Sequence, residues 1–132
     1  MPITPLSQLK RAVRDALTYL KTQPDIAEAE VFAAANGNLT VRLNYTSRIP
    51  SNGVEEPKSL EAYGVGLRIS LITAEGLKTG FGSEPADFSI EAVKRALKKA
   101  RMGAVLDKEY VSLPKPTEKR LAKVRDHDPA IM

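Results

Sequence analysis

The sequence contains no cysteine and a single histidine, His127. The lack of cysteine excludes disulfides, thiol catalysis and thiolate metal sites within this chain, and one histidine cannot build a site that needs several. No apolar run approaches the roughly twenty residues of a membrane-spanning helix, so no membrane partner is expected. The N-terminal residues also lack the apolar segment of a secretory signal, which predicts a cytoplasmic protein.

Aromatic residues are scarce as well, at 5% of 132 residues. The apolar fraction of 42% and the charged fraction of 27% are typical of a globular protein, and this length suits one domain with a sizeable core. The net charge of +4 is uneven. Residues 1–66 carry seven Lys and Arg against seven Asp and Glu, whereas residues 67–132 carry thirteen against nine. The excess positive charge therefore lies in the second half of the chain.

Two segments are predicted to form amphipathic helices. Residues 5–22 repeat apolar side chains at steps of three and four residues, and Pro24 cannot continue that helix. Residues 89–102 have the same periodicity, with Ser89 as the N-cap and Gly103 as the stop. The polar side of this second helix is strongly basic and carries Lys94, Arg95, Lys98, Lys99 and Arg101.

Between the two helices, polar and apolar residues alternate with a period of two, which is typical of half-buried strands joined by short turns. Strands are predicted over residues 28–33, 39–46, 60–73 and 77–83, with a short one at 54–56. Turns are predicted at Asn36-Gly37, residues 50–53 and residues 74–76. The fold class is therefore α+β, an antiparallel meander of about four strands with two helices packed on one face.

The domain prediction follows from where periodicity stops. Residues 1–103 are expected to form the α+β domain, and residues 104–132, which are rich in proline and charge, an extended linker or tail.

Two pairs of glycines lie in consecutive predicted strands, and we expect both pairs on the sheet face opposite the helices. Glycines two residues apart mark a bulge, a bend or a place where another backbone comes close. Close approach would favour a peptide or partner contact surface around Gly64, Gly66, Arg68, Gly80 and Gly82. The alternative is that these glycines only relieve twist or form bulges.

An ordered series of short motifs spans residues 27–100. It comprises Ala29-Glu30-Val31, the segments at residues 51–56 and 63–69, Gly80-Phe81-Gly82-Ser83 and the helix start at residues 89–93. The series resembles the N-terminal domain of the TldD/PmbA family of metallopeptidases. Pro57 and the turn at residues 74–76, which lacks Asp-Gly, depart from the family pattern.

The resemblance implies a domain rather than a whole enzyme. The zinc-type site of this family lies in a C-terminal domain, with a His-Glu…His helix and a cysteine that this chain does not contain. No catalytic, cofactor-binding or metal-binding residue is therefore assigned, and we expect a fragment or a reduced homologue. Family members work in pairs that enclose a lumen and trim or degrade unfolded peptides. The implied role is subunit assembly and substrate confinement, with unfolded peptide and TldD/PmbA-type subunits, in a homo- or hetero-oligomer, as partners.

Two other functions are weaker alternatives. The basic second helix could bind nucleic acid through phosphates, but such a face is usually solvated, and the few aromatics give little platform for stacking bases. Asp126-His127-Asp128 could bind a metal, but three ligands in a predicted tail lack supporting contacts.

Overall fold

The computed structural model describes residues 4–44, 53–54, 57–115, 119 and 122. The two helices are α1 (Leu6–Leu20) and α2 (Ile90–Met102). The strands are β1 (Ile26–Thr40), β2 (Leu43–Asn44), β3 (Gly53–Val54), β4 (Lys58–Thr73), β5 (Gly76–Pro85) and β6 (Val105–Leu106). The main sheet is antiparallel in the order β1-β4-β5-β6, so the predicted α+β class with about four strands is confirmed.

The predicted turn at Asn36-Gly37 is wrong. Both residues lie inside β1, where they pair with Ala62 and Glu61 of β4. The strand predicted at residues 28–33 therefore continues into the next one without reversing, because β4 is long enough to pair with almost the whole of β1. This long-range ladder outweighs the local turn preference of an Asn-Gly pair.

Other predicted elements fall partly outside the described residues. Of the predicted strand at residues 39–46, the first two residues belong to β1 and Leu43–Asn44 form β2, which pairs with β3. The predicted turn at residues 50–53 and short strand at 54–56 are described only at Gly53 and Val54.

The core lies between one face of the sheet and the two helices. Alternate residues of β4 point into it, and alanines of α2 and the inner side of α1 cover them. Its most buried members are Val65, Leu67, Ile69, Ala92, Val93, Ala96, Leu97, Ala100, Ala16 and Leu20. Burial of this apolar surface is the main term that stabilises the domain. We call the opposite surface of the sheet the outer face.

The start of α2 is fixed by the predicted cap. The Ser89 hydroxyl accepts a hydrogen bond from the Ala92 N–H at 3.2 Å, and the Asp87 carboxylate accepts bonds from the Ser89 N–H and hydroxyl. These bonds satisfy donors that the first helical turn leaves free. The helix ends before Gly103, as predicted.

Candidate functional site

The glycines of β5 do not lie where the sequence pattern placed them. Gly80 pairs with Ile69 and Gly82 with Leu67, so both glycines face the helices, and the expected position on the outer face is wrong. A methyl group at Gly80 would overlap the carbonyl oxygen of Ala100, and one at Gly82 would overlap that of Ala96. The backbone that comes close to these glycines is therefore that of α2.

A signal for this packing was present in the sequence. Ala92, Ala96 and Ala100 repeat every four residues along α2, which places small side chains on one side of the helix. Small residues on a helix opposite glycines on a strand indicate close contact between the two backbones. The period-two alternation of residues 77–83 indicated the opposite orientation, because it grouped the glycines on the face away from the helices.

Gly64, Gly66 and Arg68 do lie on the outer face, but the space at the two glycines is filled. The ring of Phe32 occupies the position that a side chain on Gly66 would take, and backbone atoms of residues 84–85 occupy that of Gly64. Arg68 donates a hydrogen bond from Nε to the Glu30 carboxylate at 3.0 Å. Beside them, the rings of Phe32 and Phe81 stack with centroids 6.2 Å apart, and each of the two residues is about half exposed.

The segment after α2 lies partly on the outer face. Residues 105–106 pair with β5, and the chain then reaches Glu28 of β1, whose carboxylate accepts bonds from the Tyr110 hydroxyl and, at 2.8 Å, from the Leu113 N–H. These two donors lower the pKa of Glu28, and burial together with the hydrogen bond to Glu28 raises the pKa of Tyr110. Ser70 of β4 is fully buried next to this contact.

The basic side of α2 is largely neutralised within the chain. Lys99 and Arg95 both bind Glu84, at 2.7 and 3.1 Å, and Arg95 also binds Asp87. Lys94 pairs with Glu91 and Arg101 with Asp25, both at 2.7 Å. Hydrogen bonds from Lys99 and then Arg95 lower the pKa of Glu84, and the bond from Arg101 lowers that of Asp25.

A polar cleft of about 590 Å³ lies where the start of α1 approaches the start of α2. Arg11 and Asp15 line it from α1, and Asp87 lines it from the connection to α2. The rings of Tyr63 and Phe88 form another wall, with centroids 5.3 Å apart.

One edge of β1 is free of strand pairing in the described part of the chain. Within the described part of the chain, β1 pairs only with β4, so its other edge has no neighbouring strand. Two cavities lie between this edge and α1 and share Leu17. One, of about 470 Å³, is lined by Leu9, Val13 and Ala33, and the other, of about 230 Å³, by residues 26–29. We call this combined feature the edge groove.

Three basic residues line the edge groove, two from α1 and the third from the C-cap that follows it. Lys10, Arg14 and Lys21 are spaced by four and seven residues, which places them on one side of the helix. None of them forms an ion pair with any residue that the structure describes. The sequence pattern had suggested a plain core helix, because apolar periodicity alone does not show which strand becomes an edge.

Among the described residues, no group of three or more His, Asp or Glu side chains is arranged to hold a metal ion. The acidic and histidine residues 126–128 lie outside them. None of the described helices combines the length and hydropathy needed to cross a bilayer. Comparison of the chain with models of protein families, with curated proteins and with solved structures gave no match.

Proposed function

We propose that this chain is a non-catalytic interaction domain that receives extended peptide as an added strand along β1. In the role that the TldD/PmbA resemblance implies, it would confine unfolded peptide substrates and contribute to subunit assembly for a metallopeptidase. The observation that carries the proposal is the free edge of β1 beside an apolar groove.

An edge strand presents a row of backbone N–H and C=O groups without partners. Proteins usually protect such edges with proline, charged side chains, β-bulges or covering elements. β1 contains no proline or lysine, its irregularity is confined to its start between Ile26 and Glu28, and its two glutamates bind groups of the same chain. A peptide that pairs with this edge would be held mainly through its main chain, with side-chain pockets adding selectivity. Main-chain recognition suits unfolded substrates because they share a backbone rather than a sequence.

The nucleic-acid alternative receives less support. Four of the five basic residues on α2 bind carboxylates of the same chain, so little of their charge is available for phosphates. The exposed rings of Phe32 and Phe81 could stack with bases, but Glu28 and Glu30 lie on the same face of the sheet. Negative side chains next to a stacking surface repel a phosphate backbone.

The proposal is tested by adding an unstructured peptide of about nine residues to the isotope-labelled chain and following its backbone amide signals. We expect the largest shifts at residues 26–33. Two versions of this peptide, one N-methylated at the odd-numbered positions and the other at the even-numbered positions, should then differ in affinity. Strand pairing requires the donors on only one edge of the peptide, so one methylated series should lose binding and the other should keep it.

Two results would contradict strand addition at β1. One is the absence of amide shifts at millimolar peptide. The other is equal binding by both methylated series, since that would show that peptide donors are not used. Subunit assembly is a separate measurement, in which sedimentation of the chain mixed with a catalytic TldD/PmbA-type subunit should show a complex.

A further inference from the structure

We infer that the edge groove selects extended peptides that carry acidic as well as apolar side chains on the side facing α1. This inference rests on the proposed strand addition and assigns a substrate class to it. Its basis is a row of cations that have no carboxylate partner among the described residues and that line an apolar groove, at a sheet edge that no described strand covers.

The groove lies where the alternate side chains of an added strand would point. A strand pairs with its neighbour at a spacing of about 4.8 Å, and every second side chain turns to the same face. On the helix-covered face, those side chains would meet Leu9, Val13 and Leu17, which are only partly buried because β1 is the last described strand on this side of the sheet. Along residues 26–33 the groove matches an extended segment of roughly 26 Å, or eight residues.

Charge gives the second element of selectivity. Most cations of α2 already bind carboxylates, whereas Lys10, Arg14 and Lys21 have no such partner in the described part of the chain. Acidic side chains on the groove side of a bound strand would complement this row. The outer-face side of the same edge differs, because the carboxylates of Glu30 and Glu28 there already have partners, although Glu28 also lines the smaller cavity beside Lys21. The preference for acidic side chains should therefore apply only to every second residue of the peptide, at the positions whose side chains face α1.

The same charges argue against a second copy of the chain in the groove. Antiparallel pairing of two β1 edges would continue the sheet and keep both copies of α1 on the same face. Each copy would then bring Lys10, Arg14 and Lys21 to the junction, and these like charges would repel one another. A separate acidic and apolar peptide is the occupant that the charges favour.

The experiment compares three nine-residue peptides with the full chain by calorimetry and amide shifts. All three have threonine at every second position. The remaining positions are leucine, except for two that are Glu in the first peptide, Gln in the second and Lys in the third. We expect the Glu peptide to bind roughly 2- to 10-fold more tightly than the Gln peptide at low salt, and the Lys peptide to bind most weakly. The difference should shrink as salt is added.

A charge reversal identifies the side of α1 that is responsible. Arg14→Glu should abolish or reverse the preference for the Glu peptide. Arg11→Glu is the matched control, since Arg11 is a neighbouring cation on the same helix that lines the polar cleft instead of the groove. The control should keep the preference of the unmodified chain, and equal effects of the two substitutions would overturn the inference.

The outcomes separate this inference from the proposed function. Equal affinities for the three peptides, with shifts at residues 26–33, would overturn acid selectivity and leave strand addition standing. No binding by any peptide would overturn both. If the chain self-associates and the Glu peptide reverses this association, the groove would be assigned to a second copy of the chain. That result would also overturn the inference that an acidic peptide occupies it.

Discussion

At the scale of single residues, the contact between α2 and β5 depends on what is absent from the strand. A helix normally stays away from a sheet by the thickness of the side chains between them. At Gly80 and Gly82 no side chain intervenes, and carbonyl groups of α2 occupy that space. The alanines of α2 allow the same approach from the helix side. Close packing of this kind tolerates little added volume.

The first prediction concerns Gly82→Ala. The new methyl group would overlap backbone atoms of Ala96 and Ala100, which cannot rotate away, so α2 must shift as a whole. We expect a loss of about 1–3 kcal/mol or more in the free energy of unfolding, measured by urea denaturation. Gly53→Ala is the control. A Cβ there has no heavy atom within 4 Å, and its unfolding free energy should remain within about 0.5 kcal/mol. Equal stability of the two variants would show that α2 is not packed as described.

At the scale of elements, the segment following α2 is tied across the sheet by Glu28. This one carboxylate accepts bonds from Tyr110 and Leu113, which lie beyond the last strand of the sheet. The contact connects the far end of the domain to β1. It also covers Ser70 on the outer face.

The second prediction is that Tyr110→Phe loosens this segment while the main sheet stays intact. The ring is kept, but the hydroxyl that binds Glu28 is lost. Amide hydrogen exchange should become faster at residues 110–113 and remain unchanged at residues 65–71 of the core. Tyr19→Phe, on α1, serves as the control for loss of a hydroxyl. Unchanged exchange at residues 110–113 would mean that the hydroxyl does not hold the segment.

At the scale of the whole molecule, four carboxylates that join separate parts of the fold share one electrostatic property. Asp25, Glu28, Glu84 and Asp87 all have a pKa below the ordinary value, because each accepts hydrogen bonds from basic side chains, hydroxyls or backbone N–H groups. The folded state therefore holds fewer protons than the unfolded state in mild acid. The stability that these groups contribute is present above their unfolded pKa, and it is lost as the pH falls through the lower folded pKa.

The third prediction follows for acid unfolding. Stability should decline as the pH falls below about 4.5, the ordinary pKa of a glutamate, and continue to decline below the ordinary aspartate value of 3.8. Glu84→Gln should be less stable at neutral pH, because Lys99 and Arg95 lose their anion, and its stability should depend less on pH in this range. Glu61→Gln is the control, since Glu61 forms no ion pair with the described residues. The pH series is read by thermal unfolding, and identical slopes for Glu84→Gln and the unmodified chain would contradict it.

Features that depend on neighbouring residues could be predicted from the sequence. The buried alternation of β4, the Ser89 cap and both helices are local patterns, and the structure confirms them. The Asn36-Gly37 turn and the orientation of β5 were wrong because long-range pairing and the approach of α2 decide them. The edge groove could not be predicted for the same reason. Leu9, Val13 and Leu17 resemble ordinary core residues until the strand order shows that β1 has one neighbouring strand among the described residues.

The space that Gly80 and Gly82 leave under α2 restricts how the helix can move against the sheet. The carbonyl groups of Ala96 and Ala100, about one helical turn apart, lie over Gly82 and Gly80, where the strand has no side chains. Sliding α2 along β5 would bring these carbonyl groups against Lys78 or Glu84, the neighbouring residues of the strand that share a face with the two glycines. The contact between α2 and β5 therefore fixes the position and rotation of the helix, so its basic side keeps one orientation relative to the sheet.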